Sequence, residues 1–105
     1  MEIFETTKGS HPKVTHIRGP KKIIIEQDNV SIDYEEGFLD KQGEFQSLGV
    51  GHILLDNKET PEEKNEAGEV VIPAQPSKFS LYVKDMNEGK NYEDTAVKYL
   101  RAELG

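Results

Sequence analysis

Short apolar runs separated by polar turns fill residues 23–55: Ile23-Ile24-Ile25, Val30-Ser31-Ile32-Asp33-Tyr34, Phe38-Leu39, Glu44-Phe45 and Ile53-Leu54-Leu55. The runs are short and rich in β-branched residues, with Gly, Asn and Asp between them, so they read as consecutive β-strands. Val30, Ile32 and Tyr34 fall on one side of such a strand and Ser31 and Asp33 on the other, as a half-buried strand requires. Asp40-Lys41-Gln42-Gly43 has the chemistry of a type I turn with glycine at the position of positive φ. Gly49 and Gly51 around Val50 mark a bulge or bend, which lets a small sheet curl on itself.

A chain of 105 residues holds one domain, because it is too short to divide its core in two. Hydrophobic residues make up 34% and charged residues 31%, an apolar share below the roughly 45–50% of ordinary domains, a figure that also counts Gly. Part of the chain is therefore expected to stand outside a packed core. The expected fold class is α+β and predominantly β: a small antiparallel sheet of about five to seven strands, curled or barrel-like, with one C-terminal helix.

The flanking segments complete this layout. Residues 1–22 carry Gly9, Ser10, Pro12, Gly19 and Pro20 with only scattered apolar residues, and read as an extended basic arm with at most a short strand over 13–17. Residues 23–105 form the β-rich domain. Residues 56–69 hold six acids, two lysines and no large apolar side chain, which predicts a mobile insertion or, from Thr60, Pro61 and Glu63, one exposed helical turn. Phe79, Leu81 and Val83 alternate with Ser80, Tyr82 and Lys84, predicting a strand with Tyr82 on its non-core face. The helix is expected at about 91–104, capped by Asn91 and closed by Gly105, with Tyr92, Ala96, Val97, Tyr99, Leu100 and Leu104 along one face.

Charge is unevenly distributed within the net −7. Residues 1–25 hold five basic and two acidic side chains, a balance of +3, and residues 26–105 hold eight basic and eighteen acidic, a balance of −10. An acidic body of this kind argues against nucleic-acid binding, which requires clustered Lys and Arg to neutralise phosphates. Cysteine is absent, so disulfides, thiolate metal sites and thiol nucleophiles are excluded. The start has no secretion-signal pattern and no apolar run approaches membrane-spanning length, so a soluble, cytoplasmic protein is expected.

Residue patterns that carry chemistry are incomplete. His11 and His16 stand five apart on a segment read as extended, which is not the spacing of a zinc site, and His52 reads as an ordinary strand residue. Asp85-Met86-Asn87-Glu88-Gly89 begins like a calcium loop, but Lys90 occupies the position that needs Gly and Ala96 the one that needs a bidentate Glu. Gly49-Val50-Gly51 lacks the third glycine of a dinucleotide fingerprint. Glu35 with Glu36, or Asp33 with Asp40, are acid pairs of a kind that chance produces on so acidic a chain. No catalytic residues, metal or cofactor are therefore assigned.

The reading that these features favour is a non-catalytic structural or protein–protein interaction module, a homo-oligomer or part of a larger complex. Its contacts are expected at the basic cluster Arg18, Lys21 and Lys22 and at the aromatic residues Tyr82, Tyr92 and Tyr99. Small cysteine-free β domains with extended arms occur in bacteriophage particles and related contractile or secretion machines, and the layout fits a component of such an assembly. Two alternatives stand beside it. An acidic decoy for a nucleic-acid-binding protein would display its acids in a regular line. A small ligand-binding or enzymatic β domain would bring His52 together with Asp33 or Tyr34 in a cleft.

Overall fold

The computed structural model describes residues 1–89 and 91–105; Lys90, the sixth position of the calcium-loop comparison, lies outside them. The fold is mixed α+β and mostly strand. Four strands, β1 (Glu2–Glu5), β2 (His16–Ile25), β3 (Asn29–Leu39) and β4 (Phe45–Asp56), form an antiparallel sheet in the order β1-β2-β3-β4. A separate two-stranded ribbon, β5 (Glu63–Lys64) with β6 (Val70–Ile72), follows, and then helices α1 (Lys78–Asn87) and α2 (Tyr92–Leu104). The sheet is an open meander with two edges, where a curled or barrel-like sheet was expected. Four strands are too few to close, and the remaining two pair only with each other.

The core face of the sheet follows the predicted alternation. Val30, Ile32 and Tyr34 of β3 are buried with Leu55 of β4 and Ile17 of β2, and both helices pack on this side through Tyr82, Ala96, Tyr99 and Leu100. Gly51 lies opposite Tyr34, and a Cβ on it would fall 2.6 Å from the tip of the Tyr34 ring. The Asp40 turn forms as expected: Gly43 has φ +79° and donates its N–H to the Asp40 carbonyl, while the Asp40 carboxylate accepts from the backbone N–H of Gln42 and Glu44.

Three expectations are corrected. Residues 1–22, read as an extended arm, contain β1 and most of β2 and belong to the sheet. Arg101 of α2 grips Glu2 through two nitrogens and its guanidinium lies 5.0 Å over the Phe4 ring, so β1 is tied down from the helix side. Residues 78–84, read as a strand, lie in α1. Phe79, Tyr82, Val83 and Met86 also satisfy the helical spacing of three and four, and the Ser77 hydroxyl caps the helix by accepting from the Ser80 N–H. Tyr82 accordingly points into the core, where it is fully buried.

The third correction concerns the insertion at 56–69. It is one limb of a ribbon, with Thr60 bridged to Gln75 and Glu63 paired to Ile72. The base is pinned where the Ser77 hydroxyl donates to the Asn57 side-chain oxygen at 2.8 Å. We refer to residues 57–76 as the arm. The molecule measures 58 × 31 × 19 Å with a radius of gyration of 16.6 Å, against about 13 Å for a compact domain of this length. A twelve-residue β4 accounts for about 40 Å of that length, and the arm extends the body further. No helix among the described residues is long and apolar enough to cross a membrane.

Candidate interaction surface

Helices cover one face of the sheet and leave the other open. On that open face β2 presents Arg18, Lys22 and Ile24, β3 presents Ser31, Asp33 and Glu35, and β4 presents Val50, His52 and Leu54, in register across the strands. Val50 is 65% exposed and Leu54 59% exposed, with Ile3, Ile24 and Leu39 partly uncovered around them. These are large aliphatic side chains with no covering layer, which is uncommon for a chain so rich in charge.

The basic cluster has its counter-charge in place. Between Arg18 and Lys22 three residues of β2 face the single residue Tyr34 of β3. This bulge turns Lys21 back toward Glu35, where its ammonium lies 2.7 Å from the carboxylate, and the Arg18 guanidinium donates to the same carboxylate. Arg18 also stacks over the Phe45 ring at 4.6 Å. The hydrogen bond from Lys21, with that from Arg18, holds the Glu35 carboxyl below its usual range despite the opposing effect of burial. Lys22 stands opposite Asp33. Arg18 and Lys21 thus share one carboxylate within the molecule.

The aromatic residues divide. Tyr82 donates its hydroxyl to the Tyr92 carbonyl at 2.9 Å, and Tyr99 donates to the Asp85 carboxylate at 3.0 Å. Their rings lie 5.5 Å apart inside the helix–sheet interface, and burial pushes both phenols up to about 12, with the Asp85 carboxylate adding to the effect at Tyr99. Tyr82 and Tyr99 are therefore core residues, unable to meet a partner while the domain is folded. Tyr92, at the start of α2, is 60% exposed. The structure brings Arg18 and Lys21 together on Glu35, and Lys21, Lys22 and Tyr92 line one shallow pocket of about 190 Å³ with Glu93.

His52 is exposed on β4 and paired with Asp33 on the open face, whereas Tyr34 points to the opposite side of the sheet. Asp40 is at the far turn and does not approach Asp33. Among the described residues no three His, Asp or Glu side chains gather as a metal site requires.

The feature that residue-by-residue reading passed over is the free edge of β4. On one side β4 pairs with β3 along its length; no further strand joins its other side. In a chain with 31% charged residues, positions 45–55 contain none, and this was the available signal. Natural edge strands are guarded by Lys, Pro, inward charges or bulges. One such device is present here, the irregularity that leaves Leu48 without a partner between Ser47 and Gly49. Residues 49–56 beyond it are regular and unguarded.

At its end β4 runs into the arm. A groove of about 540 Å³ opens there, its lining including Leu54, Asp56, Lys58, Glu59, Lys78 and Leu81, with the Lys78 ammonium already held by Glu103. On the arm, Val70, Val71 and Ile72 are all exposed, Val71 at 57%. Glu63 stands opposite Ile72 and Asp56, Glu59, Glu62, Glu66 and Glu69 lie along the same segment; among the described residues none of these acids forms an ion pair. No protein-family model, curated protein or solved structure matches this chain.

Proposed function

We propose that this protein is a non-catalytic interaction module, a cytoplasmic subunit or adaptor that is incorporated into a larger assembly such as a phage-like particle. The observation that carries the reading is the distribution of apolar surface. Val50 and Leu54 on an uncharged edge strand, and Val70, Val71 and Ile72 on a projecting ribbon, are uncovered while the domain has a separate, filled core. Surface of this kind is characteristic of protein–protein contact. His52, with one face of its strand open to solvent, lends no support to the ligand-binding alternative. The acids of the arm lie along a segment that also exposes Val70, Val71 and Ile72, a mixture that suits a protein surface better than mimicry of a phosphate line.

Sedimentation velocity across a wide concentration range, on the full chain and on a chain in which residues 58–76 are replaced by Gly-Gly, tests the proposal. Association that the full chain shows, alone or with its co-expressed neighbours, and that the arm-deleted chain lacks supports it. A strictly monomeric protein that joins no complex in either form refutes it.

A further inference from the structure

We infer that the free edge of β4 accepts an extended, cationic segment of a different polypeptide, which adds a fifth strand to the sheet and lays its basic end against the arm. This rests on the interaction-module reading and names its docking mode and partner chemistry.

The backbone supplies the first half of the argument. A regular edge strand offers alternating N–H and C=O groups that another chain can pair with, and β-strand addition uses them for affinity while side-chain pockets give selectivity. Along residues 49–56 the edge is unguarded, and Val50 and Leu54 stand on the open face beside it. Alternate apolar side chains of an added strand would cover both. The groove between the arm and α1 includes Leu54 and Asp56 at the end of β4, so an added segment that reaches the end of the edge meets it.

Charge decides the occupant. Residues 56–69 carry six acids and two lysines, and the acids lack ion-pair partners among the described residues. A second copy of this chain meets them poorly: its Arg18 and Lys21 are held by Glu35, its Lys78 by Glu103, its Lys98 by Asp85 and its Arg101 by Glu2, and its remaining lysines belong to a chain of net charge −7. Antiparallel pairing of two β4 strands would also bring each acidic arm to the Asp40–Glu44 turn of the other copy, where two acids outnumber Lys41, in a chain of net charge −7. Like charges so placed oppose association. A partner segment with lysines or arginines at the arm end meets no such opposition. Every strand pair in the main sheet is antiparallel, and an added strand that follows suit has its N-terminal end at the arm.

The test uses the full chain and a short synthetic peptide with lysines at its N-terminal end followed by alternating Val and Thr, with a control in which glutamates replace the lysines. Backbone amide NMR and hydrogen exchange read the site. The expected result is perturbation and slowed exchange at residues 49–55, with the lysine peptide about tenfold tighter than its glutamate control at low salt, and loss of binding in Val50→Lys. Leu54→Lys is the second variant should Val50→Lys lose its folded spectrum.

Perturbation confined to β6 or to the open face, with 49–55 unmoved, overturns the inference and leaves the interaction-module reading standing. Concentration-dependent protection of 49–55 without peptide identifies a second copy as the occupant and also overturns it. Absence of any response to the peptide overturns it too, and the sedimentation experiment then judges the module reading independently.

Discussion

Replacing Tyr82 by alanine separates the helical setting of residues 78–87 from the strand that their alternation suggests. On a strand with Ser80 and Lys84, Tyr82 would face solvent, and its loss would cost a few tenths of a kcal/mol, about the usual range for exposed positions. In the structure Tyr82 is fully buried, stacks obliquely on Tyr99 with ring centroids 5.5 Å apart, and donates its hydroxyl to Tyr92 at the start of α2. Truncating a fully buried aromatic side chain costs about 3–5 kcal/mol, a large part of the roughly 5–15 kcal/mol that holds a domain folded. Tyr82→Phe keeps the ring and removes one neutral hydrogen bond, worth about 1 kcal/mol. Urea unfolding followed by circular dichroism measures both. With a slope of about 1–2 kcal/mol/M, Tyr82→Ala lowers the midpoint by about 2 M or more and Tyr82→Phe by less than about 1 M. The internal control is Tyr92→Ala, whose ring is 60% exposed and whose midpoint stays near wild type. If Tyr82→Ala costs no more than Tyr92→Ala, the helix–sheet interface described here is wrong.

Other consequences are open to measurement. The Glu35 carboxyl is held below its ordinary value by Lys21 and Arg18, so it stabilises the fold above the unfolded-state value, and that contribution is lost as pH falls through the depressed folded value. Glu35→Gln is expected to cost about 1–2 kcal/mol near neutral pH, discounted because both cations are partly exposed, and to flatten the acid limb of stability against pH; an unchanged acid limb would remove Glu35 from that account. A Cβ on Gly37 would sit 2.0 Å from the Gln46 carbonyl oxygen, so Gly37→Ala is expected to cost about 1–3 kcal/mol in chemical denaturation, whereas Gly43→Asn at the exposed turn stays within about 1 kcal/mol. Ser77→Ala removes both the α1 cap and the pin to Asn57, with an expected loss of about 1–2 kcal/mol. Replacing residues 58–76 by Gly-Gly moves the melting temperature by less than about 4 °C, since the arm is exposed throughout and its ends adjoin at Asn57 and Ser77; unfolding of that chain would mean that the arm supports the body.

How far the sequence discloses the fold depends on whether local pattern and tertiary context agree. Residues 30–34 and the Asp40 turn were legible because alternation, turn chemistry and burial coincide there, whereas Phe38-Leu39, read as a separate run, continues the same strand through Glu35-Glu36-Gly37. The same holds for α2, where Asn91, Glu93, Asp94 and Arg101 complement the helix dipole. Residues 78–84 were misread because Phe79, Leu81 and Val83 satisfy a period of two while Phe79, Tyr82, Val83 and Met86 satisfy the helical one. The Ser77 cap and packing against Tyr99 decide between them, and only the cap is a local signal. Residues 1–22 read as an extended arm with at most a short strand over 13–17 because β2 bends through a bulge at Gly19-Pro20-Lys21 that no two-residue alternation describes. The candidate surface was less legible still. Strand order determines that β4, and not β3, forms an edge, and that order is a property of the whole sheet. The uncharged stretch at 45–55 hints at something unusual but does not distinguish a buried strand from an exposed one.

The chain contains no tryptophan and four tyrosines, and their unequal placement gives the molecule a built-in optical reporter. Tyr34, Tyr82 and Tyr99 lie within the seam between sheet and helices, and only Tyr92 meets solvent. In an alkaline spectrophotometric titration, phenolate absorbance from Tyr82 and Tyr99 is withheld up to about 12 unless the seam parts first. The ultraviolet signal of the unlabelled protein therefore tells whether the helices remain seated.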